Sequence, residues 1–168
     1  MQPATSMLHF NFAMGKGPAS APPRIANKKA RFHFEILDKF EAGIALTGSE
    51  VKSLRAGKAS LAEAFALIRD GEVFLRDCNI SPYPMAGYAQ HKPTRERKLL
   101  LHRREIRKLV NKVTQRGLTL VPLAMYFNDR GLVKVIIALA RGKTHRDKRS
   151  DIKDREQKRD MDRAMRRG

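Results

Sequence analysis

The segment Gly142-Lys143-Thr144 has the residue types with which a P-loop ends, the turn that binds nucleotide phosphates. A P-loop also needs a glycine five positions before Gly142, and Ile137 occupies that position. The segment AGKAS fails as well, because no serine or threonine directly follows Lys58. The sequence therefore predicts no nucleotide site of this kind.

Metal binding and nucleophilic catalysis need side chains at particular spacings, which this sequence does not have. The histidines are His9, His33, His91, His102 and His145. None of them lies at a metal-ligand spacing from another histidine or from Cys78. Apolar Val73, Leu75 and Ile80 surround Cys78 in the sequence, which indicates a small buried hydrophobic residue rather than a nucleophile. No pair of carboxylates stands out, so we expect no catalytic residues, no metal, no cofactor and no enzyme.

The chemistry that the sequence favours is the binding of a polyanion. The 168 residues include 35 Lys and Arg against 17 Asp and Glu, which gives a net charge of +18. Such an excess indicates a nucleic acid or an anionic membrane as the partner. No apolar run approaches the ~18 residues of a membrane span, the N-terminal residues make a poor signal peptide, and the single cysteine excludes an internal disulfide framework. We therefore expect a cytoplasmic protein that binds nucleic acid and no membrane.

The cations are concentrated in two clusters. NKKAR covers residues 27–31, and residues 91–116 contain ten Lys and Arg against two Glu, a net charge of 10 − 2 = +8. Basic groups release counterions from phosphates, so they supply affinity without sequence specificity. A solvated helix face adequately explains some cations of the second cluster: Arg103, Arg104, Lys108 and Lys112. With three Tyr and no Trp, recognition of a folded RNA by shape fits better than stacking on a single strand.

The chain divides into three parts. Residues 1–26 are rich in Pro, Gly, Ala and Ser and show no helical or strand period, so we expect a disordered arm. Met14 is an alternative start to Met1. Residues 27–142 carry the periodic segments of one domain, and residues 143–168 form a charged tail.

The tail has the charge order of a helix but no apolar face. From Arg141 to the C terminus there are 12 Lys and Arg and six Asp and Glu, a net charge of 12 − 6 = +6. The acid precedes the base in three i,i+4 pairs, each of which stabilises a helix by ~0.2–0.5 kcal/mol: Asp151–Arg155, Asp154–Lys158 and Asp162–Arg166. We expect a tail that is disordered when free and helical when a surface neutralises it, with a mere solubility tail as the alternative.

The first half of the domain predicts strands and one short helix. Residues 31–38 alternate between apolar and polar side chains, which predicts a half-buried strand. Residues 39–48 predict a second strand, with Gly43 at a bulge or sharp bend. Ser49 is expected to cap a short helix that Gly57 ends.

The second half predicts hairpins around a longer helix. Asp70-Gly71 is a two-residue hairpin turn between strands. Residues 102–117 predict a helix with Gly117 after its end and one apolar face, composed of Ile106, Leu109, Val110 and Val113. NDRG joins a last hairpin, in which Pro122 marks an edge or a bulge. Several short strands with few helices predict a mainly β protein, a small antiparallel OB-like barrel.

Four segments then carry a resemblance to a known family. They are NKKA (27–30), EAGIALTGSEVKSLRAGKASL (41–61), TRERKLLLH (94–102) and GK…DKR (142–149), in this order. Together they closely resemble the small protein B family, the bacterial tmRNA-binding proteins of trans-translation. The resemblance implies an OB-like barrel that binds the tRNA-like domain of tmRNA. It also implies that this RNA, charged with alanine and escorted by elongation factor Tu, is delivered to ribosomes stalled on truncated messages.

The resemblance implies roles for single residues. Asn27, Glu41 and Leu100 match the asparagine, glutamate and leucine with which family members bind tmRNA. Because a carboxylate repels phosphates, Glu41 should accept hydrogen bonds from a base edge or a 2′-OH. Leu100 as a core strand residue is the alternative. The basic neighbours expected to contact phosphates are Lys28, Lys29, Arg31, Arg97 and Lys98.

The DKR motif of the family corresponds to Asp147-Lys148-Arg149 and is implied to work on the ribosome. The tail would enter the vacant message channel from the decoding centre of the small subunit, fold there and detect the absence of mRNA. The ribosome-binding residues are then expected to be Lys143, Arg146, Asp147, Lys148, Arg149, Ile152, Lys153 and Arg155. Related sequences often have His or Tyr before DKR, so a stacking role for Arg146 stays open.

The expected partners are tmRNA and the ribosome. Elongation factor Tu and alanyl-tRNA synthetase are reached indirectly through tmRNA, and we expect the chain itself to be a monomer. The alternative function is that of a general ribosome-associated structural protein that binds rRNA.

Overall fold

The structure, a computed structural model, describes residues 22–116 and 118–166. The strands of this part are β1 Ile25–Ala26, β2 Phe34–Ile44, β3 Ala59–Ser60, β4 Phe65–Arg69, β5 Glu72–Arg76, β6 Asn79–Ile80, β7 Arg97–Leu100, β8 Thr119–Phe127 and β9 Val133–Gly142. The helices are α1 Ala30–His33, α2 Gly48–Arg55, α3 Arg103–Arg116 and α4 His145–Met165, and a short 3-10 turn covers Gly87–Ala89. Most of the arm predicted for residues 1–26, and Gly117, lie outside the described residues.

Six antiparallel strands form a closed ring. β2 pairs with β7, β7 with β5, β5 with β4, β4 with β8, β8 with β9, and β9 returns to β2. β1 adds to the C-terminal half of β8, and β3 pairs with β6 apart from the ring. The predicted mainly β fold with a small antiparallel barrel is therefore confirmed.

Alternating apolar residues fill the barrel. Val133, Val135, Ile137 and Leu139 of β9 are buried, while the residues between Val133 and Ile137 are only partly covered. The apolar face predicted for α3 packs against this core, because Leu109 is fully buried and Ile106 and Val113 contact the same cluster. The amphipathic helix is thus confirmed, and its opposite face carries the cations outward.

The two strands predicted for residues 31–48 are one continuous strand, β2, and this prediction was wrong in two respects. Residues 31–33 belong to the short helix α1, because the Asn27 carboxamide oxygen accepts a hydrogen bond from the Ala30 N–H at 3.1 Å and starts a helical turn. The bulge lies between Ile36 and Asp38 rather than at Gly43. Gly43 instead permits a close approach of β7, since a Cβ there would lie 3.3 Å from the Leu100 Cβ.

The predicted turns are confirmed where local chemistry determines them. Asp70 and Gly71 both have positive φ, 54° and 71°, as the tight turn between β4 and β5 requires. The register of β8 against β9 shifts between Pro122 and Ala124, so Pro122 lies at a bulge. Gly57 follows α2 with φ of 70° and ends that helix as predicted.

The N-cap of helix α2 lies two residues earlier than predicted. Thr47 rather than Ser49 is its N-cap, and the Thr47 N–H donates to the Glu50 carboxylate at 2.8 Å. This is half of a capping box, in which an acid at the third helical position reaches back to the cap. Glu50 thereby has a structural role that the sequence motif alone did not indicate.

The tail forms helix α4 in this structure. Its first turn is closed by reciprocal hydrogen bonds, because the Thr144 N–H donates to Asp147 Oδ2 at 3.0 Å and the Asp147 N–H donates to Thr144 Oγ1 at 3.4 Å. The apolar side chains of Ile152, Met161 and Met165 are exposed, so α4 has no buried apolar face among the described residues. Folding of the tail only on its target stays a prediction.

Candidate nucleic-acid interface

Glu41 and Leu100 lie together in one groove on the outer face of the barrel. The groove runs between β2, β7 and β9 and is also lined by Lys134. Leu100 is 53% exposed, whereas its neighbour Leu99 is 1% exposed and belongs to the core. The alternative of Leu100 as a core residue is therefore wrong, and its apolar side chain is open to a partner.

The Glu41 carboxylate has two neighbours, one on the adjacent strand β9 and one on β8 beyond it. The Tyr126 hydroxyl on β8 donates a hydrogen bond to Glu41 Oε2, and Lys134 Nζ on β9 lies 3.7 Å from Oε1. The side chain of Glu41 is nevertheless 52% exposed. The hydrogen bond to Glu41 raises the pKa of Tyr126, because it stabilises the protonated phenol beside a negative charge.

A second groove lies on the other side of this glutamate and is basic. Its cations are Arg24, Lys28, Arg31 and Lys39. Ile136 of β9 lines this groove and lies opposite Glu41 in the pairing of β2 with β9, so the groove lies next to Glu41. The guanidinium of Arg24 also lies 5.7 Å from the centre of the Tyr126 ring.

A third groove, between β7 and α3, contains cations of the other predicted cluster. Leu100 lines it together with Lys98, Arg103 and Arg107. Two carboxylates, Asp70 and Glu72, line it as well, and Glu72 forms an ion pair with Lys98. The first and third grooves share Leu100, and the second adjoins Glu41 through Ile136; we call the three grooves together the basic strip.

Asn27 lies beside this strip but is buried. Its Nδ2 donates to the carbonyl oxygens of Leu61 at 2.8 Å and Pro122 at 3.1 Å, and its Oδ1 accepts from Ala30. The amide thus holds the turn before α1 against the barrel. Lys28, Lys29 and Arg31 are exposed around it, and Lys29 Nζ lies 3.3 Å from Glu63 Oε1.

Arg97 is not a surface residue, so its predicted contact with RNA phosphate is corrected. Its side chain is 0% exposed, and its guanidinium donates to Glu50, at 2.8 Å, and to the carbonyl oxygens of Cys78, Arg95 and Pro93. The donors of this guanidinium are therefore occupied by acceptors within the protein. The adjacent Lys98 points outward, because successive residues of a strand face opposite sides.

Glu50 is the buried partner of two arginines. Its carboxylate accepts from Arg97 and from Arg95, whose Nη2 lies 2.6 Å away. Burial alone would raise the pKa of Glu50, but the hydrogen bonds from Arg95, Thr47 and Arg97 lower it to about 2. Two cations of the 91–116 cluster therefore serve the fold, which charge counting did not reveal.

The root of the tail is attached to the turn that carries NKKAR. The Lys143 N–H donates to the His33 carbonyl oxygen at 2.9 Å, and Lys143 Nζ donates to the Arg31 carbonyl oxygen at 3.1 Å. Of the other predicted ribosome-binding residues, Arg149, Ile152 and Lys153 are exposed and Asp147 closes the first turn. The side chains of Arg146, Lys148 and Arg155 lie outside the described part of the chain.

No helix within residues 22–116 and 118–166 has the length and apolar character to cross a membrane.

A closed antiparallel barrel with a basic strip on its outside and a basic helix after its last strand defines a nucleic-acid-binding class of small barrel proteins.

Comparison with known proteins identifies the family. The sequence model of the family described as SmpB protein matches residues 24–167, and the chain belongs to this family. The SsrA-binding protein of Nostoc sp. is 60% identical over 140 residues, which cover 83% of this chain and 90% of that protein. The SsrA-binding protein of Symbiobacterium thermophilum is 52% identical over 153 residues, 91% of this chain and 97% of that protein. The resemblance to the small protein B family is thus confirmed.

A solved structure gives the same result for the fold. One chain of the structure described as "tmRNA-SmpB: a journey to the center of the bacterial ribosome" matches with a TM-score of 0.62 and 54% identity. The match covers 73% of this chain and 86% of that chain.

Proposed function

We propose that this protein binds tmRNA and brings it to stalled ribosomes in trans-translation. The observation that carries the proposal is the family match over residues 24–167, which includes the barrel and almost the whole tail. The curated relatives are SsrA-binding proteins, and SsrA RNA is tmRNA. The protein acts by binding, without catalysis, as a monomer in the cytoplasm. Elongation factor Tu and alanyl-tRNA synthetase act with it only through the RNA.

The basic strip is the proposed contact with the tRNA-like domain of tmRNA. Glu41 accepts hydrogen bonds from a base edge or a 2′-OH, and Leu100 packs against the sugar or base beside it. Lys28, Lys29, Arg31 and Lys98 neutralise phosphates along the strip. Asn27 acts through its buried hydrogen bonds, which hold the NKKAR turn in place.

The tail is the proposed contact with the ribosome. Residues 143–168 are disordered when free and fold as a helix in the vacant message channel of the small subunit, starting at the decoding centre. An intact message occupies the same space, so the tail detects its absence. The exposed cations of α4 supply the affinity for rRNA phosphates, and the capping box of Thr144 and Asp147 fixes where the helix starts.

Purification of the tagged full chain from cells, followed by sequencing of the bound RNA, tests the first part. We expect tmRNA to be enriched and to stay bound at a salt concentration that releases bulk RNA, because specific contacts add to the phosphate term. The Glu41→Ala variant is the matched control and should lose the enrichment. Recovery of bulk rRNA without enrichment of tmRNA would favour a general ribosome-associated protein instead.

Truncation after Lys143 tests the second part while keeping the hydrogen bonds of Lys143 to α1. We expect a folded barrel, because the large apolar side chains of α4 are exposed and bury almost no area. We also expect nearly unchanged tmRNA affinity, because Asn27, Glu41 and Leu100 are retained. Tagging of stalled nascent chains should nevertheless be lost. A solubility tail predicts normal tagging by the truncated protein as long as it stays soluble, and that result would refute the channel-sensing role.

A further inference from the structure

Tyr126 reaches the Glu41 carboxylate from two strands away. Tyr126 lies on β8 opposite Lys134 of β9, and Glu41 lies on β2 opposite Ile136 of β9. The hydroxyl therefore passes diagonally over β9 and spans two strand spacings, about 10 Å. Only a long side chain with a polar end can make this contact. The Tyr126 hydroxyl does so by donating a hydrogen bond to Glu41 Oε2.

The contact limits the freedom of a side chain that would otherwise be mobile. A half-exposed glutamate has many rotamers, and a ligand that binds it must stop their exchange at a cost in entropy. The Tyr126 hydroxyl holds Oε2, and Lys134 Nζ lies 3.7 Å from Oε1. A carboxylate has about four acceptor positions, so one donor leaves positions for a ligand.

Positive charges around Glu41 and Tyr126 reduce the repulsion that the Glu41 carboxylate would exert on a phosphate. Lys134 faces it from β9, and Arg24 lies 5.7 Å from the centre of the Tyr126 ring, on the segment before β1. Lys134 offsets the negative charge of Glu41 without burying it, and Arg24 adds a positive charge beside the tyrosine. The tyrosine itself is only half-buried, so it contributes little to the core.

We infer that Tyr126 is a positioning residue for RNA recognition: its hydroxyl orients the Glu41 carboxylate, so that the free acceptor positions face the RNA. The inference rests on the proposed function, because Glu41 must contact tmRNA for its orientation to matter. Tyr126 acts through Glu41 and makes no essential contact of its own with the RNA.

Titration of the tyrosines tests the contact without RNA. The chain has three Tyr and no Trp, so the near-ultraviolet absorbance of tyrosinate reports their ionisation cleanly. We expect Tyr126 to ionise in a late step, at raised pH, and Tyr126→Phe should remove this step. Glu41→Gln should shift the step down, because the neighbouring negative charge is gone. A late step that survives Glu41→Gln unchanged would overturn the inference.

Affinity for tmRNA tests the consequence in a double-mutant cycle. Tyr126→Phe should weaken binding by roughly fivefold to tenfold, as expected for the loss of one hydrogen bond of ordinary strength. The same substitution in a Glu41→Ala background should have no further effect. Tyr88→Phe is the matched control, because Tyr88 is fully exposed and should tolerate the change.

The outcomes separate this inference from the proposed function. Equal weakening by Tyr126→Phe in both backgrounds would mean that the tyrosine contacts RNA itself, and the inference would be wrong. Weakening by Glu41→Ala alone would also overturn it and leave the proposed function intact. Tight tmRNA binding by Glu41→Ala would overturn the inference together with the proposed role of Glu41, and would leave tmRNA binding by the protein intact. Circular dichroism of each variant verifies that the barrel is folded.

Discussion

Glu50 and Glu41 are two glutamates of one barrel with opposite surroundings. Glu50 is 0% exposed and is surrounded by donors from Arg95, Arg97 and the Thr47 N–H. Glu41 is 52% exposed, and its neighbours are one hydroxyl and one lysine. A buried carboxylate needs its acceptor positions filled, whereas a half-exposed carboxylate keeps some of them for a partner. Glu50 therefore stabilises the fold, whereas Glu41 keeps acceptor positions available for a binding partner.

The cations of the 91–116 cluster likewise fall into a group that pairs with Glu50 and a group that is exposed. Arg95 and Arg97 lie in the basic cluster at 91–116, yet both neutralise Glu50 inside or beside the core. Arg103 and Arg107 of the same cluster are exposed. A net charge of +8 for this segment thus overstates the charge that an RNA meets.

The largest effect is expected from removing one partner of the buried pair. Arg97→Met should lower the free energy of unfolding by about 3–5 kcal/mol, because it leaves Glu50 buried with one arginine missing. Urea unfolding measures this loss. Arg107→Met is the matched control, since Arg107 is exposed in the same cluster and should cost less than about 0.5 kcal/mol. A loss below 1 kcal/mol for Arg97→Met would show that the pair is dispensable.

Acid should act on Glu50 in a defined range of pH. Its pKa is about 2 in the folded chain and ordinarily 4.5, so the unfolded chain binds more protons between these values. The stabilisation is present above about pH 4.5 and is lost as the pH falls toward about 2. We expect Glu50→Gln to flatten the dependence of unfolding free energy on pH in this range. An unchanged slope in the variant would contradict the assignment.

A smaller effect, confined to binding, is expected at the exposed glutamate. Glu41→Ala should weaken tmRNA binding by about 1–3 kcal/mol, the worth of a specific base contact, and leave the melting temperature unchanged. A purely electrostatic binder would bind at least as tightly, because the net charge rises. Glu35→Ala is the control, since it removes the same charge from the same strand at an exposed position. Equal affinity of the Glu41→Ala variant and the parent would remove Glu41 from the interface.

The smallest effect is expected at the start of the tail. Thr144→Ala should destabilise the first turn of α4 by about 1 kcal/mol, because it removes the cap of the Asp147 N–H. Thr144→Ser keeps the hydroxyl and should behave like the parent. Hydrogen exchange of the amides after Thr144 in the ribosome-bound protein measures the change, and unfolding of the barrel should be unaffected. Identical protection in both variants would show that the capping box does not stabilise the bound tail.

Features with local causes could be predicted from the sequence. Asp70-Gly71 determines its turn through positive φ, and Pro122 lacks the N–H that a regular ladder needs. The apolar face of α3 follows from residues three and four positions apart. These elements hold in the structure because their signals lie within a few residues of each other.

Features that depend on strand pairing could not be predicted. The run RKLLL has three consecutive apolar residues, so no alternation shows that Arg97 and Leu99 face inward while Lys98 and Leu100 face outward. The partner of Glu41 is 85 residues away in sequence and two strands away in the barrel. Its identity requires the order of β2, β9 and β8, which no local pattern contains.

The attachment of Lys143 to α1 places the start of the tail helix against the NKKAR turn, so that α4 can swing about this point. Helix α4 has 21 residues, so the tail when folded is an arm of about 31 Å at 1.5 Å per residue. Lys143, at its root, is hydrogen-bonded to the carbonyl oxygens of Arg31, the last residue of NKKAR, and of His33, two residues further on. A rotation of about 10° at this pivot moves the far end by about 5 Å, close to one helical pitch. If the NKKAR turn binds RNA as proposed, a small rotation of the turn would therefore produce a much larger displacement at the C-terminal end of α4.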